Sequence, residues 1–101
     1  MSGRSAEAHA RLVEEIAREK AATLGRAGDR LDAALAEVAE IARAWRAAED
    51  ARARAELSAA YARAWHAAEA TRQTLLIQRE AVGLRHHRDM DVQFPRPPRR
   101  L

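Results

Sequence analysis

Few side chains in this sequence have the chemistry to act on a substrate, and their spacing argues against catalysis. Paired carboxylates occur at Glu14-Glu15 and Glu49-Asp50. General acid–base work needs a carboxylate in a shaped, partly dry cleft, whereas both pairs fall on polar helix faces with arginines nearby. His86 and His87 are adjacent, with Asp89 and Asp91 following. On a helix His87 and Asp91 share a face. The adjacent histidines, however, point ~100° apart, and two ligands are too few for a structural zinc site. Ser58 lies within a helical run and has no glycine elbow around it, and no glycine-rich phosphate loop occurs. The chain has no cysteine, which removes disulfides, thiolate metal sites and cysteine nucleophiles. The expectation is a protein that is not an enzyme, with no catalytic residue, no cofactor and no metal.

The chemistry that does stand out is cationic. The chain carries 18 Lys and Arg against 15 Asp and Glu. Residues 1–82 hold 13 of each sign, so the whole excess of +3 falls in residues 83–101. Arg79, Arg85, His86 and Arg88 lead into Arg96, Arg99 and Arg100. Arginine forks bind phosphate bidentately, and a basic segment gives salt-sensitive affinity for nucleic acid. These seven residues are the candidate nucleic-acid contacts. The same region ends in Phe94-Pro-Arg-Pro-Pro-Arg-Arg-Leu101, and a Pro-Arg-Pro-Pro segment also suits an aromatic-lined groove on a protein.

Long helices must position these groups. The chain has 26 Ala but only 17 Leu, Ile, Val and Phe together. Alanine is the best helix former, so this composition predicts long helices with narrow apolar seams. Such helices bury too little surface to stand alone. Ser5 is a candidate N-cap, and Leu12, Val13, Ile16, Ala17 and Leu24 recur at helical spacing. Gly25 and Gly28 predict a turn at 25–29, and Asp29 a new N-cap. Residues 30–82 contain neither glycine nor proline. Leu31, Leu35, Val38, Ile41 and Trp45 form one stripe there. Leu57, Tyr61, Ala64, Ala68 and Leu75 form a second, out of phase with the first. Either one helix stutters, or the chain bends near Glu49–Arg54 with Asp50 capping the next helix. The expected fold is all-α, a helical hairpin or a three-helix coiled-coil-like bundle. Its helices are expected at about 5–24, 30–48 and 51–82 within a domain 1–83, with one continuous helix in place of the last two as the alternative. A basic tail, 84–101, follows. Its three prolines fix φ and remove donors, so its end should be extended and mobile unless bound.

One internal repeat appears. Ile41–Arg52 matches Tyr61–Arg72 at eight of twelve positions. If the chain turns between the copies, Trp45 and Trp65 could share a core; chance similarity in an Ala/Arg-rich sequence is the alternative. The candidate interface residues are Leu12, Ile16, Leu31, Leu35, Val38, Ile41, Trp45, Leu57, Tyr61, Trp65 and Leu75.

Leu75-Leu-Ile-Gln-Arg-Glu-Ala-Val82 resembles the turn and early recognition helix of small bacterial helix-turn-helix DNA-binding regulators, whose common pattern is Leu-Gly-Ile-Ser-Arg-x-Ala-Val. Leu75, Ile77, Arg79, Ala81 and Val82 match; Leu76 stands at the glycine and Gln78 at the Ser/Thr position. The resemblance, about 15 residues long, implies that Gln78 and Arg79 open a recognition helix. Arg85, His86 and Arg88 would then lie further along it, near phosphates or base edges.

Two functions are therefore expected. One is a self-associated nucleic-acid-binding regulator. The other is a helical protein–protein adaptor or assembly subunit, with the helices as interface and the tail as a docking peptide. No leader segment and no apolar run of membrane-spanning length is evident, which predicts a cytoplasmic protein without membrane contact. The Arg and Ala bias suggests a GC-rich bacterial genome.

Overall fold

A computed structural model describes residues 2–101; Met1, the first residue of the expected helical domain, lies outside them. Among the described residues the regular structure is all-α: α1 spans Ser2–Ala47, α2 Ala51–Ala81 and α3 Arg88–Gln93. The two long helices pack side by side as a hairpin, with overall dimensions of 76 × 21 × 16 Å.

The expected turn at 25–29 does not form. α1 runs unbroken through Gly25 and Gly28, and Ser5 and Asp29 lie inside it rather than capping helices. Each interior glycine costs about 1 kcal/mol relative to alanine. A break would cost more, because Leu24, Ala27 and Leu31 must stay in one phase to meet the same partners. Gly28 faces Phe94, and a Cβ there would lie 3.6 Å from its ring, an ordinary van der Waals contact, so the packing does not itself demand glycine.

The expected bend between the stripes does form, at residues 48–50. Asp50 is extended (φ −75°, ψ 128°), and its carboxylate accepts a 2.8 Å hydrogen bond from the Ala53 N–H. This is the N-cap arrangement that satisfies one free donor of the first turn. At the other end of α2, Gly83 adopts φ +95°. The Leu84 N–H donates to the Arg79 carbonyl and the Gly83 N–H to the Glu80 carbonyl, both at 3.0 Å. This is a Schellman closure, which needs a residue that tolerates left-handed φ.

The core has two parts. Near the middle of the hairpin, Val38 meets Tyr61, Ala64 and Ala68, with Ala34, Leu35, Ile41, Ala42 and Trp65 around them. The two alanines on α2 let the helix backbones approach closely. Towards the end where α2 finishes, Ala27 and Leu31 pack with Leu75, Met90 and Phe94, flanked by Leu24, Leu35 and Leu76.

Two further expectations change. Trp45 and Trp65 do not share a core. The turn falls inside the first repeat copy, so Trp45 stays on α1 and is covered by Arg54, whose guanidinium lies 3.9 Å from the ring centroid. Trp65 flanks the central cluster instead. Nor is 84–101 a loose tail. It forms α3, buries Met90 and Phe94 against the hairpin, and returns along α2.

Candidate functional site

Tyr61, Trp65, Glu69 and Arg72 sit at intervals of four, four and three on α2, which places them in one row along the helix. Their separation along the axis is about 16 Å at 1.5 Å per residue. The row meets the tail in reverse order. An Arg72 Nη2–H donates to the Phe94 carbonyl at 2.5 Å. Arg96 Nε donates to Glu69 Oε1 at 2.9 Å. Trp65 Nε1 donates to the Pro97 carbonyl at 3.1 Å, and the Tyr61 hydroxyl donates to the Pro98 carbonyl. The Arg99 guanidinium lies 5.2 Å from the Trp65 ring centroid, within cation–π range. An extended chain, at about 3.1 Å per residue, covers about 12 Å between Phe94 and Pro98, most of that length, and the side chains of the row reach the rest. The tail is therefore a strap held through its backbone carbonyls, two of them on prolines.

Arg72 anchors this row. Its side chain is 4% exposed. Besides the bond to Phe94, Nε and Nη1 face Glu69 and Asp91 at 3.6 and 3.7 Å, ion-pair contacts longer than hydrogen bonds. A buried guanidinium is tolerable because two carboxylates and one carbonyl surround it. A second clamp holds α3. Arg79 Nη2 donates to both carboxylate oxygens of Asp89, at 2.8 and 3.0 Å, and to the His86 carbonyl at 3.2 Å. The hydrogen bond from Arg79 is the main reason the Asp89 carboxyl is held below its ordinary pKa. The hydrogen bond to Glu69 likewise raises Arg96. Burial pushes the Tyr61 phenol above its ordinary value.

These contacts redistribute the expected nucleic-acid residues. Arg79 is engaged with Asp89, Arg96 with Glu69 and Asp91, and Arg99 with Trp65. Arg85, His86, Arg88 and Arg100 are exposed. The segment from Leu75 to Ala81 belongs to the unbroken end of α2, so no turn separates Leu75 from Gln78 as the helix-turn-helix pattern requires.

The expected interface residues also divide. Leu31, Val38, Tyr61 and Leu75 are buried inside the hairpin. Leu35, Ile41, Trp45, Leu57 and Trp65 are half-buried along its seam. Leu12 and Ile16 have no partner helix. Residues 3–22 of α1 are all exposed, an arm about 30 Å long at 1.5 Å per residue. On it Leu12, Val13 and Ile16 are 53%, 51% and 47% exposed. The arm exists because α1 has 46 residues and α2 only 31.

Sequence reasoning passed over Glu69, Met90, Asp89, Asp91 and Phe94 as structural partners. The i,i+4 spacing of Met90 and Phe94 was a legible signal of a buried face. The pairing of Arg79 with Asp89 across a turn carries no local pattern. Among the described residues no group of three or more His, Asp or Glu could hold a metal ion, and no helix is long and apolar enough to cross a membrane. No family model, no curated protein and no solved structure matches the chain.

Proposed function

We propose that the protein is a non-catalytic helical assembly subunit that self-associates through the arm of α1. One observation carries this reading: the apolar row Leu12, Val13 and Ile16 lies on a helix with nothing against it. Val13 follows the same face that α1 buries further on: Ala17, Leu24, Leu31 and Val38 recur every seven residues, and Val13 lies four residues before Ala17. Leu12 and Ile16, themselves four apart, widen that stripe on its flank. The arm is thus patterned for a second helix that this chain does not supply. Its charges allow a second copy to supply it. Residues 3–22 carry Arg4, Arg11, Arg18 and Lys20 against Glu7, Glu14, Glu15 and Glu19. Two neutral arms can approach without net repulsion.

Half-exposed side chains of this size gain roughly 1 kcal/mol each on further burial, and association has its own entropic cost. The three side chains of each copy supply roughly 6 kcal/mol per pair before that cost, so the association is weak. Sedimentation equilibrium should show a dimer or larger species that grows with concentration up to several hundred micromolar. Leu12→Glu with Ile16→Glu should leave a monomer with the hairpin intact. A wild-type protein still monomeric at several hundred micromolar, or a double variant that associates equally, would remove this reading.

A second reading, nucleic-acid binding by the self-associated unit, rests on the exposure of Arg85, His86, Arg88 and Arg100. It predicts duplex binding that weakens steeply with salt and falls when Arg85 and Arg88 become alanine. Assembly alone predicts neither.

A further inference from the structure

We infer that the Tyr61–Trp65–Glu69 face of α2 is a recognition site for proline- and arginine-containing peptide in extended, polyproline-like form, occupied in cis by the protein's own tail. The chemistry of the contact identifies the ligand class. A polyproline segment offers carbonyls that have no donor of their own to meet, and its φ is already fixed near −65°. Receptors for such segments present aromatic surfaces, and here an indole N–H and a phenol O–H act as donors on an aromatic face. Trp65 bonds the Pro97 carbonyl, and Tyr61 bonds the Pro98 carbonyl. Glu69 reads the arginine at position 96, and the Trp65 ring accepts a second arginine, Arg99, over its face. Two backbone acceptors, one ion pair and one cation–π contact thus define a Pro-Arg pattern rather than a merely apolar strap.

The tail that fills the face is separately anchored. Met90 and Phe94 are buried in the core at the end of the hairpin, whereas Arg96, Pro98, Arg99 and Arg100 are exposed on one side. Residues 95–101 can therefore lift while the core stays closed. A tethered segment competes at an effective concentration of the order of millimolar. A separate peptide should accordingly bind the intact protein weakly and a tail-released form more strongly.

The test uses the full-length chain and the two indole N–H resonances of Trp45 and Trp65. Trp45, on α1, serves as the internal reference. Arg96→Ala with Pro97→Gly and Pro98→Gly should shift the Trp65 signal towards that of a solvent-bonded indole and leave Trp45 in place. A synthetic peptide of residues 94–101 should then return the Trp65 signal, with affinity at least tenfold tighter than for the wild-type protein. A control peptide with glycine at the three proline positions keeps the charges and should bind at least tenfold more weakly. If the triple variant loses helical circular dichroism, Arg96→Ala with Arg99→Ala changes only exposed side chains and supports the same titration. Failure of the proline peptide to restore the Trp65 resonance would overturn the inference. Equal binding by the glycine peptide would also overturn it, since charge alone would then explain the contact. Neither outcome bears on arm pairing, which is read by molecular mass.

Discussion

At the scale of single residues, polar side chains add to the buried Met90 and Phe94 in holding the C-terminal segment in place. Arg72 is the clearest case. Its charge is buried, yet one donor meets a backbone carbonyl and the others face two carboxylates. Arg72→Met keeps most of the side-chain volume and removes the donor. Hydrogen bonds involving a charged group contribute about 1.5–3 kcal/mol. The variant should therefore lose stability of that order in urea unfolding, with faster exchange of the Phe94 and Arg96 amides, the two N–H groups that the prolines leave in this segment. An unchanged urea midpoint would show that the guanidinium is not an anchor. Tyr61 gives a pH-dependent counterpart. Burial holds its phenol protonated above the ordinary value of 10.0. The folded chain thus binds this proton more tightly than the unfolded chain. The resulting stability is fully present below about pH 10 and is lost as pH rises through the raised value. The phenolate also cannot donate to Pro98. Tyr61 is the only tyrosine in the chain, so absorbance near 295 nm should report a single titration above the ordinary pKa. Strap release should coincide with it, and a titration at the unperturbed value would contradict the burial. The sequence already marked Tyr61 and Trp65 as seam residues. Their second role, as donors to the tail, was not legible, because it joins positions 32 and 37 residues apart.

At the scale of elements, the all-α class and the bend between stripes followed from alanine content and from the phase break between Trp45 and Tyr61. Asp50 as the cap of α2 followed from residue type. The break at 25–29 did not form, because a glycine signal is local and the seam is not. Leu24, Ala27 and Leu31 remain in register only if the helix continues. The three prolines exclude helix at the end of the tail, which is extended as expected, but they carry no signal of where that extended segment docks. The continuity of α1 makes a sharp prediction at Gly25. Its φ is not positive, and a Cβ there meets nothing within 4 Å. Gly25→Ala should stabilise the protein by about 0.5–1 kcal/mol, because alanine loses less backbone entropy in a helix. A glycine serving as a left-handed cap would give the opposite sign, since alanine would be strained there. A higher melting temperature for Gly25→Ala therefore separates one 46-residue helix from two helices joined by a turn.

At the scale of the whole molecule, the imbalance between helix lengths governs the shape. The Cα radius of gyration is 20.0 Å, against about 13 Å for a compact domain of this length. The hairpin and strap bury their own apolar residues, and the excess length is concentrated in the arm. Where copies associate is therefore visible in how the dimensions of the particle change. Two molecules, each 76 Å long, that overlap only along arms of about 30 Å give a maximum dimension of about 120 Å. Pairing of hairpin against hairpin would double the mass with little change in length. X-ray scattering over a concentration series should show the maximum dimension rising towards 120 Å as the forward intensity doubles. Leu12→Glu with Ile16→Glu should hold both at the monomer values. Doubled mass at a maximum dimension near 76 Å would place the contact on the hairpin instead, and the arm would then need another partner to cover Leu12, Val13 and Ile16.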